Sequence, residues 1–143
     1  MTRMMRIAVA CLALAFCLGA APAWKPATFA DQSTVEFLTV VHGEGEHWST
    51  VWFVVIDGIA YLRLGPRAAN RIDKNSTAPL LKVRVSGREV HTLRYEKAPE
   101  MAGKIAAAMA AKYWTDIFGE PFRKLGLSAP PVMLRLLPQA DAS

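Results

Sequence analysis

The residues with the clearest chemical capacity lie in the segment "GPRAANR" at residues 65–71 and in Lys74 just after it. Arginine binds phosphate through a planar fork of N–H donors, and the first turn of a helix leaves backbone N–H groups without partners. One helical turn here places Arg67 and Arg71 on a shared face at a four-residue spacing, with the Asn70 amide nearby. These donors predict a site for a phosphate-bearing, anionic small molecule.

Two hydroxyl side chains extend this predicted site. Ser49 and Thr50 open the strand before an Asp-Gly turn, and they are expected to lie beside Arg63 and Leu64 on the returning strand. Both hydroxyls then reach the same end of the hairpin as the basic segment. The alternative interpretation is that the basic segment is a solvated loop whose charges balance nearby aspartates.

The segment "HGEGEH" at residues 42–47 has residue types that can bind a metal. His42 and His47 flank two carboxylates, and neutral imidazole with carboxylate suits zinc or copper. The spacing matches no helix-borne ligand pair, and turn glycines hold ligands poorly. The segment is therefore interpreted as a polar hairpin tip, with a metal site at His42 and His47 as the alternative. His91, on a half-exposed strand, is interpreted as a surface residue.

Strand patterns dominate the elements that must position these residues. The Asp57-Gly58 pair between two β-rich runs predicts a tight hairpin. Alternating or continuous apolar runs predict six strands, at residues 33–42, 48–56, 59–64, 80–86, 89–98 and 131–138.

One long helix is expected late in the chain. It opens at Pro99 and ends at Gly119 and Pro121. Apolar residues at three- and four-residue steps give it one buried stripe, formed by Ala102, Ile105, Ala106, Met109, Tyr113 and Ile117. Strands that follow one another in hairpins favour a mainly β fold with one long helix, a six-stranded antiparallel split β-barrel. An open α+β sheet is the alternative.

The first 23 residues have the organisation of a signal peptide. Arg3 and Arg6 precede the apolar run "IAVACLALAFCLGA", and small residues end at Ala23. The run is shorter than the roughly 20 residues that a spanning helix needs. We therefore expect cleavage after Ala23, a periplasmic or secreted protein, and no stable membrane insertion after cleavage. An uncleaved membrane anchor is the alternative.

Composition limits the remaining chain. Both cysteines lie in the predicted signal peptide, so no disulfide is expected in the mature protein. Loss of Arg3 and Arg6 lowers the formal net charge from +5 to +3, without the dense basic stripe of a nucleic-acid binder. We expect a leader at residues 24–32, one domain at 33–138 and a tail at 139–143.

The order of motifs resembles a known superfamily. A Ser/Thr-opened "TVWFVV" strand, an Asp-Gly turn, "AYLRL" and "GPRAANR" follow one another between Ser49 and Asn75. "AAKYW" at residues 110–114 precedes the final "VMLRLLP" strand. This order, over roughly Val35 to Pro138, resembles the flavin-binding split-barrel superfamily of pyridoxamine-phosphate-oxidase-like proteins. It looks nearest to the small branches that include deazaflavin-dependent nitroreductases and uncharacterised domains.

The resemblance implies a cofactor and its place. Members are commonly homodimers that bind FMN, or sometimes the deazaflavin F420 or haem, at the subunit interface. Carried onto this sequence, it implies that Thr50 and Trp52 lie beside the ring system and that the phosphate tail lies near Arg67, Asn70 and Arg71. The residues themselves leave two interpretations for Trp114 and Phe118 of the late helix, core packing on the barrel or a dimer interface.

Two functions follow from the sequence. The first is an exported split-barrel domain that binds a flavin-like or other phosphate-bearing cofactor and acts as an FMN- or F420-dependent oxidoreductase. No residue has a context that assigns it as a catalytic acid or base. The alternative is a non-catalytic envelope module for binding or dimerisation that has lost its cofactor. It is favoured by the acidic "HGEGEHW", where relatives often carry basic residues.

Overall fold

The computed structural model describes residues 23–113 and 131–139. Their secondary structure consists of strands and short helices, whose bounds in chain order are: a 3-10 turn at Pro26–Phe29, β1 at Thr34–Val41, β2 at Gly45–Ile56, β3 at Ile59–Leu64, α1 at Pro66–Asp73, β4 at Leu80–Val85, β5 at Glu89–Lys97, a 3-10 turn at Pro99–Met101, α2 at Ala102–Lys112 and β6 at Val132–Pro138.

The six strands form a closed antiparallel barrel in the order β1-β2-β3-β6-β5-β4. The ring closes because β1 pairs with β4 as well as with β2. Asp57 and Gly58 have φ values of 51° and 76°, so both central residues of the β2–β3 turn are left-handed, as a tight hairpin requires. The predicted split β-barrel is confirmed.

Strand alternation sorts the side chains into an interior and an exterior set. On β4, Leu81, Val83 and Val85 are buried, whereas Lys82 lies exposed on the opposite face. The barrel interior is filled by apolar side chains from all six strands, including Phe37, Phe53, Leu62, Leu64, Leu93 and Leu134. This closed core gives the candidate site a rigid floor.

A second apolar cluster lies between the barrel and α2. Val54, Tyr61 and Met133 alternate with interior residues along their strands and face outward. Ile105 and Met109 of α2 pack against them. The helix thereby covers the outer side of β2, β3 and β6 and confirms most of the predicted stripe, although Ala106 is exposed.

The helix ends earlier than the sequence predicts. Tyr113 leaves helical geometry at φ −106° and ψ 28°, so α2 ends at Lys112 and not at Gly119. The Tyr113 hydroxyl is held by the barrel backbone, and this tertiary contact overrides the local helix propensity. Gly119, Pro121 and Ile117 lie outside the described residues.

The segment after the predicted signal peptide packs onto the barrel. Phe29 belongs to the interior core, and the Trp24 ring lies 5.1 Å from it. Trp24 also meets His91 edge-on at 5.0 Å. His91 is only 7% exposed, so its interpretation as a surface residue is wrong. The cover comes from a part of the chain remote in sequence, which the strand pattern of β5 does not reveal.

Within the described part of the chain, no helix has the length and apolarity needed to cross a membrane.

Candidate functional site

A cavity of about 570 Å³ lies at the connection between the end of β3 and the start of α1. Gly65 is extended, and Pro66 begins the helix with the φ that proline already favours. The described residues that line the cavity come from β2, β3, the first turn of α1 and the approach to β6: Thr50, Val51, Trp52, Arg63, Leu64, Gly65, Pro66, Arg67, Ala68 and Pro131.

The cavity wall is mostly apolar but contains cations. Arg63 and Arg67 supply guanidinium groups near the start of α1. The backbone N–H groups of Arg67 and Ala68 belong to the first turn of α1, which lacks helical acceptors for them; the first helical bond runs from Ala69 to the Gly65 carbonyl at 2.9 Å. This combination suits a molecule with a flat apolar body and an anionic end.

Trp52 gives the cavity an aromatic surface, and Tyr113 holds the Trp52 ring in place. Its ring stacks on Tyr113 at 4.9 Å between centres, with 17° between the planes. The Tyr113 hydroxyl accepts the Phe53 N–H at 3.2 Å and lies 2.6 Å from the Ser33 carbonyl. The pairing of β1 with β2 ends at Thr34 and Trp52. The Tyr113 hydroxyl therefore bonds to backbone groups of Ser33 and Phe53 just beyond the paired part of the two strands.

Lys112 reaches the same backbone. Its Nζ donates to the Phe53 carbonyl at 2.9 Å and sits 3.6 Å from the centre of the Phe53 ring. Burial lowers the pKa of this amine to about 8, and the negative charge of Asp31 opposes that effect.

The structure separates the predicted site residues into two groups. Thr50, Trp52 and Arg67 line the cavity. The others are not among its described lining residues: Ser49 is half-buried on β2 opposite Phe37, Asn70 is exposed on α1, and Arg71 and Lys74 turn toward the β1–β2 connection.

Arg71 is committed to partners in the chain. Its Nε donates to the Thr39 hydroxyl at 2.8 Å, and its Nη1 lies 3.3 Å from a Glu44 carboxylate oxygen. The Lys74 amine lies 4.0 Å from the other oxygen of Glu44. The carboxylate therefore holds the two cations at the β1–β2 turn, away from Arg67.

His42 and His47 lie exposed at this same turn. Across residues 23–113 and 131–139, no group of three histidine, cysteine or carboxylate side chains is positioned to hold a metal ion. None of the described cavity-lining residues has an imidazole, thiol or thioether to bind a haem iron.

Sequence reasoning missed several members of the cavity. The cavity wall includes Arg63, Gly65 and Pro66. Arg63 is the one charged residue of the strand "IAYLRL". Arg63 lies opposite Met133 of β6, a strand distant in the sequence. An isolated cation in an apolar strand next to a predicted anion site is the signal that would have identified it.

A smaller polar cavity of about 410 Å³ adjoins the first, because Thr50 lines both. Its wall includes Glu36 and Arg84, paired across β1 and β4 at 2.7 Å. The hydrogen bond from Arg84 holds the pKa of Glu36 below its ordinary value. The Arg84 guanidinium also stacks 4.1 Å from the Trp48 ring centre. The ion pair thus joins β4 to β1, and β1 in turn pairs with β2 at Thr50.

No protein-family profile matches the sequence, and no curated protein matches it by sequence comparison. Several solved structures match its fold. HutZ, the haem storage protein from Vibrio cholerae, superposes with a TM-score of 0.53 at 14% identity, over 80% of this chain and 87% of that one. A FAD-binding protein from Mesorhizobium loti gives a TM-score of 0.50 at 18% identity, also over 80% and 87%. An F420 reductase gives 0.53 at 14% identity, over 83% of this chain and 96% of that one.

The chain has the split-barrel fold of these solved structures. The coverage includes most of this chain and most of each neighbour, so the likeness extends over the whole barrel. At these identities the comparison concerns the split-barrel fold, and the site must be argued from the residues of this chain.

Proposed function

We propose that this split-barrel domain binds a flavin-type cofactor with a phosphate-bearing tail in the cavity between β2, β3 and α1. The observation that supports this most directly is one cavity with a fixed aromatic surface at Trp52 and cations at the start of α1. Its volume of about 570 Å³ falls within the range typical of pockets for small molecules and cofactors.

The proposed residue roles follow from position. Thr50 and Trp52 contact the ring system, and the phosphate tail lies at Arg67, Arg63 and the first-turn N–H groups of α1. Arg71 and Lys74 act indirectly, because their pairing with Glu44 anchors α1 to the β1–β2 turn. Ser49 and Asn70 are not among the described lining residues of the cavity, and their contact with the cofactor stays a prediction.

The structural neighbours support a flavin-type ligand. One is described as FAD-binding and another as an F420 reductase. HutZ is described as a haem storage protein. The described lining residues here offer no axial ligand to iron, so FMN or F420 suits the cavity better than haem.

If the protein is an enzyme, it is an oxidoreductase. A bound cofactor would supply hydride or electron transfer, whereas Trp52 would contact its ring and Arg63 and Arg67 would neutralise its tail. Catalytic acid and base roles are not assigned to any side chain.

A matched pair of arginine variants tests the proposal. Arg67→Gln should weaken binding of added FMN about tenfold or more, because it removes a charge-assisted hydrogen bond to phosphate. Arg71→Gln removes the same charge from the same helix but should leave FMN affinity within about threefold, since its partners are Thr39 and Glu44. Titration of tryptophan and flavin fluorescence measures both. Equal losses for the two variants, or no binding by the native protein, would contradict the proposed site.

A non-catalytic binding module is the second candidate function. This function is favoured by Glu44, because its carboxylate pairs with Arg71 and Lys74, two cations that were predicted to bind the phosphate. This module would bind the cofactor weakly or not at all and would not reduce any electron acceptor. Saturable FMN or F420 binding with turnover of an electron acceptor would exclude it.

Export is proposed from the sequence of the first 23 residues, which contain the arginines, apolar run and small residues of a signal peptide. Residues 1–22 lie outside the described part of the chain. Amino-terminal sequencing of the protein purified from its native cell should begin at Trp24. A sequence beginning at Met1 would favour the uncleaved anchor.

We also propose that the barrel forms a homodimer, as the superfamily resemblance implies. Among the described elements, α2 packs on the outer side of β2, β3 and β6. Trp114 and Phe118, for which the sequence left core packing and a dimer interface both open, lie outside the described residues. Sedimentation equilibrium should give about twice the mass of one processed chain; a single-chain mass at all concentrations would contradict this.

A further inference from the structure

The polar cavity of about 410 Å³ beside the proposed cofactor site has a wall rich in hydrogen-bonding groups. Strands β1, β2 and β4 and the turn after β4 contribute to this wall. Hydroxyl side chains line it at Ser33, Thr34, Thr50 and Ser86. Hydroxyl groups donate or accept hydrogen bonds as a ligand requires, so the wall suits a polar molecule.

A row of three outward-facing side chains crosses the sheet at this cavity. Glu36 of β1 lies directly opposite Thr50 of β2 on one side and directly opposite Arg84 of β4 on the other. All three line the cavity. Neighbouring strands lie roughly 5 Å apart, so the row extends over about 10 Å from Arg84 to Thr50. Its end at Thr50 is shared with the cavity proposed for the cofactor.

Two neighbours hold the Arg84 guanidinium in one orientation. Its Nε and Nη2 donate to the two carboxylate oxygens of Glu36 at 2.7 and 3.1 Å. The Trp48 ring covers one face of the guanidinium, with 4.1 Å between Cζ and the ring centre. A side chain that is already ordered loses little conformational freedom when it binds a further acceptor.

The pairing with Glu36 leaves part of the Arg84 guanidinium available. An arginine has five N–H donors in a rigid plane, and Glu36 accepts from Nε and from one position on Nη2. Nη1 makes no hydrogen bond within the described residues and is not fully buried. Because the group is planar, the donors that remain on Nη1 and Nη2 form a second fork, which matches the two oxygens of a carboxylate.

We propose that the polar cavity binds the carboxylate of a small organic acid, with Arg84 as its bidentate donor and the surrounding hydroxyls as additional donors. Glu36 and Arg84 together carry no net charge, so binding depends on directed hydrogen bonds more than on a basic surface. Glu36 repels an anion in proportion to the charge of that anion. A singly charged carboxylate therefore suits the cavity better than a doubly charged phosphate.

The position of this carboxylate site also indicates a substrate class. Thr50 and Trp52 are the proposed neighbours of the cofactor ring, whereas Arg63 and Arg67 are those of its tail. The shared residue is Thr50, so an acid bound at Arg84 lies toward the ring end of the cofactor. That the acid is a substrate rests on the proposed function, whereas its binding does not.

A comparison of acetate with acetamide tests the carboxylate site in the purified protein without added cofactor. The two molecules have similar shapes, but only acetate has two anionic acceptor oxygens. At constant ionic strength, acetate should cause saturable NMR shifts of the Arg84 Nε–H and of the backbone amides that line the polar cavity. Acetamide should bind about tenfold more weakly or not at all, because it offers no charge-assisted pair of acceptors.

A matched pair of variants tests the role of the guanidinium. Arg84→Lys keeps the positive charge but removes the planar fork, so acetate should bind about tenfold more weakly. Arg88→Lys makes the same change at an exposed position in the turn after β4 that is not among the described lining residues. Its acetate affinity should stay within about twofold of the native value.

Four results would overturn the proposal. They are acetate shifts that do not saturate or that lie away from the polar cavity, acetamide binding as tight as acetate binding, equal affinities in the two variants, and inorganic phosphate that binds the same amides more tightly than acetate. If Arg84→Lys does not fold, the ligand comparisons in the native protein still decide. Because this test uses no cofactor, failure of FMN binding leaves it intact, and failure of acetate binding leaves the cavity at Trp52 as the proposed cofactor site.

Discussion

Two arginines four residues apart on α1 have different surroundings. Arg67 faces the cavity, whereas Arg71 bonds to Thr39 and Glu44. The sequence spacing correctly predicts that both lie on one short helix, but it cannot reveal that Glu44 reaches Arg71 from another turn. Long side chains on neighbouring positions diverge when each finds a different partner, and this partner choice is a tertiary property.

The Tyr113 hydroxyl is expected to contribute to the stability of the barrel. Tyr113→Phe removes the hydroxyl that pairs with the Phe53 N–H and leaves that buried group without this partner. The free energy of unfolding should fall by about 1–3 kcal/mol, the usual cost of an orphaned buried donor. Urea denaturation measures the change. Tyr95→Phe is the control, because among the described residues the Tyr95 hydroxyl has one long hydrogen bond, accepted from the Asn75 amide at 3.4 Å. Equal losses in the two variants would contradict the proposed role of Tyr113.

Lys112 also makes stability depend on pH. Below about pH 8 its amine is protonated in both the folded and unfolded states. Between about pH 8 and the ordinary value of 10.5, only the unfolded state holds the proton, so stability contributed by this group rises with pH across that window.

Lys112→Met should remove this rise. Relative to the native protein, the variant should gain most below about pH 8 and lose that advantage as pH approaches 10.5. Denaturation midpoints measured at matched pH values report the difference. Lys104→Met, at an exposed position, should show no such trend. A constant difference between the Lys112 variant and the native protein at all pH values would show that the folded-state pKa is not lowered.

At the scale of elements, the segment 24–32 is a structural part of the barrel. Trp24→Ala removes a ring that packs against Phe29 and His91. Because the ring is half-buried, we expect a loss of about 2 kcal/mol in the free energy of unfolding. Lys25→Ala, at an exposed neighbour, should change stability by less than about 0.5 kcal/mol. A Trp24 variant as stable as the Lys25 variant would mean that the segment does not contribute to the core.

The strands were largely predictable because each carries its own signal. The hairpin turn at Asp57 and Gly58 and the alternation of β4 place β3 and β4 within about one residue of the observed bounds. The start of β2 at Gly45 was missed, because the polar residues before Trp48 are strand only through pairing with β1. Local sequence patterns predict the bounds of a strand well where its apolar residues alternate without a break. They predict the bounds poorly where polar residues are in strand conformation because of pairing with another strand.

The whole molecule brings the site together. Pairing of β1 with both β4 and β2 closes the barrel and fixes the position of β2. Thr50 and Trp52 of β2 then line the same cavity as the first turn of α1. The sequence predicted Thr50, Trp52 and Arg67 as members of one site, and the structure brings all three to one cavity. It did not predict Arg63 or the diversion of Arg71 and Lys74, which depend on cross-strand neighbours and on Glu44.

The most direct test of the cofactor proposal is the absorption spectrum of the protein purified from its native compartment, recorded before and after addition of FMN and removal of the excess. Retained flavin bands at about 375 and about 450 nm are expected in the native protein and in Arg71→Gln, with little or none in Arg67→Gln. A native spectrum without these bands, unchanged after FMN and after F420, would contradict the cofactor site and leave the barrel as a binding or dimerisation module.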